Sequence, residues 1–231
     1  MKIGIIGAGN IGGTLTRRFR AAGHDVVVAN SRGPQTLQQL AAETGARAVS
    51  AREAVRDRDV VVVTIPQRNV PDLPKDLFAG VAAETVVIDT GNYYPRERDG
   101  RIEPIEAGMP ESAWVSQQIG RPVIKAFNNI YAQHLLENGK PKGAPGRIAL
   151  PVAGDDPRAK AIVMQLIDEI GFDAVDGGTI AESWRQQPAS PVYTHDYDAA
   201  GVRKALAEAN PERTAAFTAT DKSPGSFESP A

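Results

Sequence analysis

The stretch Lys2-Ile3-Gly4-Ile5-Ile6-Gly7-Ala8-Gly9-Asn10-Ile11-Gly12-Gly13 decides the reading of this chain. A short apolar run stops at a glycine, the pattern G-x-G-x-x-G follows, and a helical pattern carrying Arg17, Arg18 and Arg20 begins at once. A glycine-rich turn alone is a weak signal. Between a buried strand and a helix it is a strong one, because the helix's free N–H groups and the positive end of its dipole then face the point where a pyrophosphate would lie. Gly7 permits the tight turn, Gly9 lets a phosphate approach the backbone, and Gly12 lets helix and strand close together, with Ala8, Asn10 and Ile11 completing the turn.

Working outward, Lys2–Ile6, Asp25–Ala29, Arg47–Val49 and Val60–Ile65 read as strands, with helices at about Ile11–Ala22 and Pro34–Glu43 between them. The uninterrupted runs at Val60–Val63 and Val86–Ile88 lack the polar alternation of a solvated sheet face, so helices must cover both faces. The expected fold is α/β: a doubly wound Rossmann fold with a mostly parallel sheet, followed by a small C-terminal α/β annex. Later strands are expected at Val123–Ala126, Ile148–Val152 and Ala174–Val175. Asp155-Asp156-Pro157 reads as the cap of a helix over about Arg158–Ile170, and Ala199–Ala209 as one more helix. These elements divide the chain into a dinucleotide-binding domain over residues 1–145, an annex over 146–217 that completes the crevice, and a tail over 218–231 whose composition predicts disorder.

With 231 residues and 42% apolar content, one generous core plus an annex needs no staples. Twenty-six basic residues against twenty-eight acidic ones, with no block of like charge, give no footprint for nucleic acid or an anionic membrane. The absence of cysteine excludes a disulfide framework, a thiolate zinc site and a cysteine nucleophile. The opening apolar run is too short and too glycine-broken for a signal peptide, and no run approaches the roughly 18 residues of a membrane span. The expectation is a soluble, cytoplasmic protein. His24, His134 and His195, placed in a turn, a helix and a loop, lack metal-ligand spacing, and no metal is expected.

Cofactor choice is read at the end of the second strand, where an Asp or Glu would bind a ribose 2′-hydroxyl. This chain has Asn30-Ser31-Arg32 there. A guanidinium beside a serine hydroxyl suits a 2′-phosphate, so the pocket is expected to favour NADP(H) over NAD(H); the alternative is that Ser31 and Arg32 only start the turn at Gly33-Pro34. Ligands of such sheets lie beyond the strands' carboxyl ends. Thr64, Ile65, Pro66 and Gln67 follow one strand, Asn92 the next, and Phe127 and Asn128 a third. Ile65, Pro66 and Phe127 are expected to wall a nicotinamide and Asn128 to meet its carboxamide, unless Phe127 is core and Asn128 a helix cap. Asp89 and Lys125 fall near the ends of neighbouring strands and read as a structural pair, the alternative being an acid–base pair. No catalytic acid or base is assigned.

The motifs GAGNIGG (7–13), NSR (30–32), TIP (64–66), KAFNNI (125–130) and PVAGDDPRAKAIVMQLIDEIGFDAVDGGTI (151–180) together resemble the NADP oxidoreductases dependent on the deazaflavin coenzyme F420, a family similar also to the reductase domain of the STEAP metalloreductases. The likeness covers about residues 1–185. It implies hydride transfer between NADPH and a planar small-molecule redox acceptor, coenzyme F420, a flavin or similar, stacked on the nicotinamide. It also implies NADP contacts at Gly7 to Gly12, Ser31, Arg32 and Gln67, and a homodimer built through the annex. The sequence departs from the family pattern after Ile180, where Trp184, Tyr193 and Tyr197 would form either an aromatic wall for a second ring or packing for the annex. The competing readings are an NADPH-dependent imine or carbonyl reductase, disfavoured because no large helical domain follows, and a non-catalytic NADPH-binding sensor.

Overall fold

The computed structural model describes residues 1–231. Its valine- and isoleucine-rich runs form β1 (Lys2–Ile6), β2 (Asp25–Ala29), β3 (Arg47–Ala48), β4 (Val60–Val63), β5 (Val86–Asp89) and β6 (Ile124–Lys125). They make one sheet in the order β3-β2-β1-β4-β5-β6, with every pairing parallel. The order reverses between β1 and β4, which creates the crevice at which ligands of doubly wound sheets bind. The register brings Ile6 level with Ala29 and Val63. Gly7, Asn30 and Thr64 therefore emerge side by side at one sheet edge.

Period-2 side-chain alternation explains the two cores. Ile3, Ile5, Val26, Val28, Val60 and Val62 point into one cluster and Ile6, Val27, Val61, Val63 and Val87 into the other. The first face is covered by α1 (Asn10–Ala21) through Leu15 and Phe19. The second is covered by α3 (Ala51–Val55) and α5 (Glu111–Ile119) through Val55, Trp114 and Val115, joined by α4 (Glu103–Glu106) through Ile105, while α2 (Gln38–Thr44) packs Leu40 on the first. The expected helix at Pro34–Glu43 is split, a 3-10 turn over Pro34–Leu37 preceding α2. No helix is long and apolar enough to cross a membrane.

After α6 (Ala132–Glu137), β7 (Ala149–Val152) pairs in parallel with β8 (Asp173–Asp176) across α7 (Pro157–Glu169), and α8 (Ala199–Ala207) packs on that pair. Asp156 caps α7 by accepting from the N–H groups of Arg158 and Ala159. Lys125 and Ala153 exchange backbone hydrogen bonds of 2.8 and 3.1 Å in an antiparallel bridge. This bridge fastens the β7–β8 pair to the β6 edge, and Leu150, Val152, Val163 and Leu166 share the α1-side core with β1.

Residues 218–231 make contacts with the rest of the chain. Ala219 is buried, the Gly225 N–H donates to the Arg96 carbonyl at 2.7 Å, and Phe227 meets Tyr94 edge-on with ring centroids 5.7 Å apart. Two phenylalanines, Phe217 and Phe227, pack against Tyr94 and anchor a segment whose composition is otherwise polar.

Gly4 in β1 faces α3, and a Cβ there would lie 2.8 Å from the Ala54 carbonyl carbon and closer still to its oxygen. Gly4→Ala is expected to lower stability by about 2 kcal/mol through overpacking, read as a lower urea midpoint at unchanged slope.

Candidate functional site

The glycines of the first turn have separate tasks. Gly7 sits at φ 105°, in the region that favours glycine. At Gly12 a Cβ would overlap the Gly7 carbonyl oxygen and come within 2.7 Å of Thr64 Cγ2, so α1 approaches the ends of β1 and β4 only because no side chain is there. Around Gly9 nothing lies within 4 Å of a built Cβ, leaving the backbone open to an incoming group. No side chain caps α1, and the first bond into the helix is Gly13 N–H to Gly9 O at 2.8 Å. The N–H groups of Asn10, Ile11 and Gly12 thus have no protein acceptor and face the same opening, with the helix dipole behind them.

Beside this turn lies a groove of about 660 Å³ whose lining includes Ala8, Gly9, Asn10, Arg17, Arg32 and Thr36. Arg17 is held by Glu43 at 2.6 Å, and that guanidinium keeps the Glu43 carboxyl below its ordinary range. Arg32 takes part in no ion pair. It is the guanidinium of the groove with its charge unmatched. Its backbone is fixed: Asn30 Oδ1 accepts the Arg32 N–H at 3.0 Å, Asn30 Nδ2 donates to Thr36 Oγ1 at 2.8 Å, and Gln35 Nε2 donates to the Arg32 carbonyl at 2.8 Å. Ser31 and Arg32 therefore do start the turn, and that turn presents both exposed side chains. The Asn30 amide is spent on the turn itself.

At the other end of the crevice, Thr64, Ile65 and Pro66 are half-buried. Gln67 is completely buried and neither its Oε1 nor its Nε2 has a partner. Phe127 corrects one expectation: it does not line the crevice. It is fully buried in the α1-side core, edge-on to Phe19 at 6.2 Å, with its backbone at φ 63°. Asn128 does not cap α6, whose N-cap is Tyr131. Instead its Nδ2 donates to Asn92 Oδ1 at 3.1 Å and to the Gln186 carbonyl at 2.6 Å, while its Oδ1 accepts from Gln186 Nε2 at 3.0 Å. Asn92 Nδ2 in turn donates to the Asn128 carbonyl at 2.9 Å. The amide network ties β5's end, β6's end and the annex together. Asn129, part of the KAFNNI motif, is a second buried amide with both polar atoms unpartnered. Trp184, Tyr193 and Tyr197 do not form one wall: Tyr193 meets Tyr94 hydroxyl to hydroxyl, Tyr197 stacks on His195 at 5.3 Å, and Trp184 lies under the Arg185 guanidinium.

Asp89 and Lys125 do meet, Nζ to Oδ2 at 3.5 Å, but within a larger buried cluster. Lys125 Nζ donates to the Gly91 carbonyl and lies 3.9 Å from Glu111 Oε2. Glu111 Oε1 accepts from Arg213 at 2.8 Å, and Ser112 Oγ donates to Asp89 at 2.6 Å. Burial pushes the Glu111 carboxyl up, opposed by Lys125 and Arg213. Two cations against two carboxylates leave the cluster near neutral, its donors turned inward. Sequence reasoning missed Glu111 and Arg213 because a partner more than 100 positions away leaves no local signal.

The donor set fits a dinucleotide. Uncapped N–H groups at an open glycine suit a pyrophosphate, an unpaired guanidinium suits a further phosphate, and the orphaned Gln67 amide carries a desolvation cost that a bound polar group would relieve.

Known proteins resemble parts of this chain. Residues 2–93 match the family described as NADP oxidoreductase coenzyme F420-dependent. The Escherichia coli K12 protein YjhV is 50% identical over 69 residues, 30% of this chain and 50% of that protein. Metalloreductase STEAP3 of Rattus norvegicus is 27% identical over 195 residues, 83% of this chain and 36% of that protein. The chain thus spans half or less of these curated relatives. Among solved structures, a hypothetical protein from Sinorhizobium meliloti is 30% identical with a TM-score of 0.73, covering 85% of this chain and 95% of that one.

Removing one cation from the buried cluster tests its balance. Arg213→Met is expected to cost about 3 kcal/mol at pH 7 by leaving Glu111 underpaired. Because the folded-state pKa of Glu111 is raised and rises further without Arg213, the deficit is largest at neutral pH and shrinks as acidification protonates the carboxyl. Urea melts at pH 7 and pH 5 give the comparison.

Proposed function

We propose that this chain, whose residues 2–93 match the family described as NADP oxidoreductase coenzyme F420-dependent, passes a hydride between NADP(H) and a planar redox acceptor such as coenzyme F420 or a flavin. The observation that carries the proposal is the pairing of an uncapped helix N-terminus at an open glycine with the unmatched charge of Arg32 along one groove. When bound, NADPH supplies the hydride from its nicotinamide ring. The N–H groups of Asn10, Ile11 and Gly12 hold the pyrophosphate, and Ser31 and Arg32 grip the 2′-phosphate that distinguishes NADP(H) from NAD(H). Ile65 and Pro66 form the apolar wall for the nicotinamide, and Gln67 offers its amide to the polar edge of the dinucleotide.

No side chain here is placed as a general acid or base. Lys125, Asp89 and Glu111 are buried and engaged with one another, and hydride transfer between two flat rings depends chiefly on holding them face to face with water excluded. The protein's contribution is therefore positional. The amide network of Asn92, Asn128 and Gln186 supplies it by fixing the strand ends on which the rings would rest.

Arg32→Ala is expected to raise KM for NADPH by roughly 10- to 150-fold, the loss of about 1.5–3 kcal/mol of charge-assisted hydrogen bonding, while leaving KM for NADH unchanged. Steady-state rates with coenzyme F420 and with FMN as acceptors provide the measurement. Equal effects on the two nucleotides would remove the 2′-phosphate from this site.

A further inference from the structure

A second groove, of about 770 Å³, shares no residue with the phosphate-turn groove. Its apolar walls come from Met109 and Pro110 at the start of α5, from Trp184 and from Pro211, and its polar lining includes Gln187 and Arg213. The volume falls in the range of small-molecule sites, roughly 300–1,000 Å³, and the lining mixes apolar side chains with charged and amide ones.

Three features specify what would fit. Trp184 is held in place, the Arg185 guanidinium lying over its ring 4.5 Å from the centroid, so the indole gives the groove a fixed aromatic wall. Gln187 is 7% exposed, yet its Nε2 is enclosed without a partner and no protein hydrogen bond holds its amide. A half-turn about the last side-chain bond exchanges the two ends of that amide at little cost, which lets it donate an N–H to a ligand carbonyl. Charge supplies the third feature. Arg213 is already paired with Glu111 at 2.8 Å and lies over the Tyr93 ring, whereas Glu106 and Glu212 also line the groove. Excess positive charge is lacking, and an anion gains nothing there.

We propose that this groove is a second binding site, separate from the NADP(H) groove, for an uncharged planar ring with carbonyl oxygens on its edge, of the isoalloxazine or quinone class. The ring stacks against Trp184, and Gln187 donates to a ring carbonyl. Pro211 and Arg213 belong to the segment that also pairs with Glu111, so an occupant joins the annex, α5 and the C-terminal segment. The claim concerns binding only and does not depend on which acceptor receives a hydride.

Riboflavin, whose fluorescence is quenched on stacking against an indole, is the probe. Titration into the full chain is expected to give saturable quenching, with FMN at least tenfold weaker because of its phosphate, and with the affinity unaltered by saturating NADP+. Gln187→Leu and Trp184→Leu are each expected to weaken riboflavin at least tenfold while leaving NADP+ affinity, read by calorimetry, as in the unsubstituted protein. That second reading also verifies that each variant is folded. Absence of riboflavin binding, competition by NADP+, tighter binding of FMN than of riboflavin, or undiminished affinity in both variants would overturn the proposal.

Discussion

The architecture depends on one close approach: α1 against the carboxyl ends of β1 and β4. Gly12 makes it, since a Cβ there would run into the Gly7 carbonyl and the Thr64 methyl. The same approach aims the uncapped end of α1 at the crevice, and the parallel register sets Gly7, Asn30 and Thr64 in a row. Backbone geometry thus creates the anion site before any side chain is considered. What side chains add is an unpaired guanidinium, Arg32, and rigidity, through amides that link strand ends.

The site divides into an electrostatic half and a neutral half. Around the first turn and Arg32, free N–H groups and an unmatched cation await negative charge. Beyond β4, β5 and β6 the polar groups include the carboxamides Gln67, Asn92, Asn128, Asn129 and Gln186, while charged side chains nearby are paired, Asp89, Lys125, Glu111 and Arg213 in one cluster and Arg98 with Asp99. A neutral, preorganised wall suits a flat ring whose reaction needs alignment more than proton transfer. Lys125 contributes from behind that wall, by holding the Gly91 carbonyl at the end of β5.

Much of this was legible in the sequence because its determinants are local. The strand–turn–helix at Lys2–Ala21, the alternating burial of the valine runs, and the Asp156 cap of α7 each follow from a few neighbouring residues. The pairing of Asp89 with Lys125 followed from strand order. What was not legible depends on distant partners. Phe127 sits at the end of a strand, where ligand-facing residues are expected, and only the packing of Phe19 from α1 shows that it belongs to the core. Asn128 is taken by Gln186, 58 positions later. The meeting of Phe217 and Phe227 with Tyr94 likewise joins residues too far apart in sequence to leave a local signal.

The proposed preference for NADP(H) rests on Arg32 meeting a phosphate that NAD(H) lacks. Calorimetric titration of the intact chain with NADP+ and with NAD+ under identical salt tests it most directly. NADP+ is predicted to bind at least tenfold more tightly, with the margin narrowing as salt rises. Equal affinities, a preference for NAD+, or no heat from either nucleotide would contradict it.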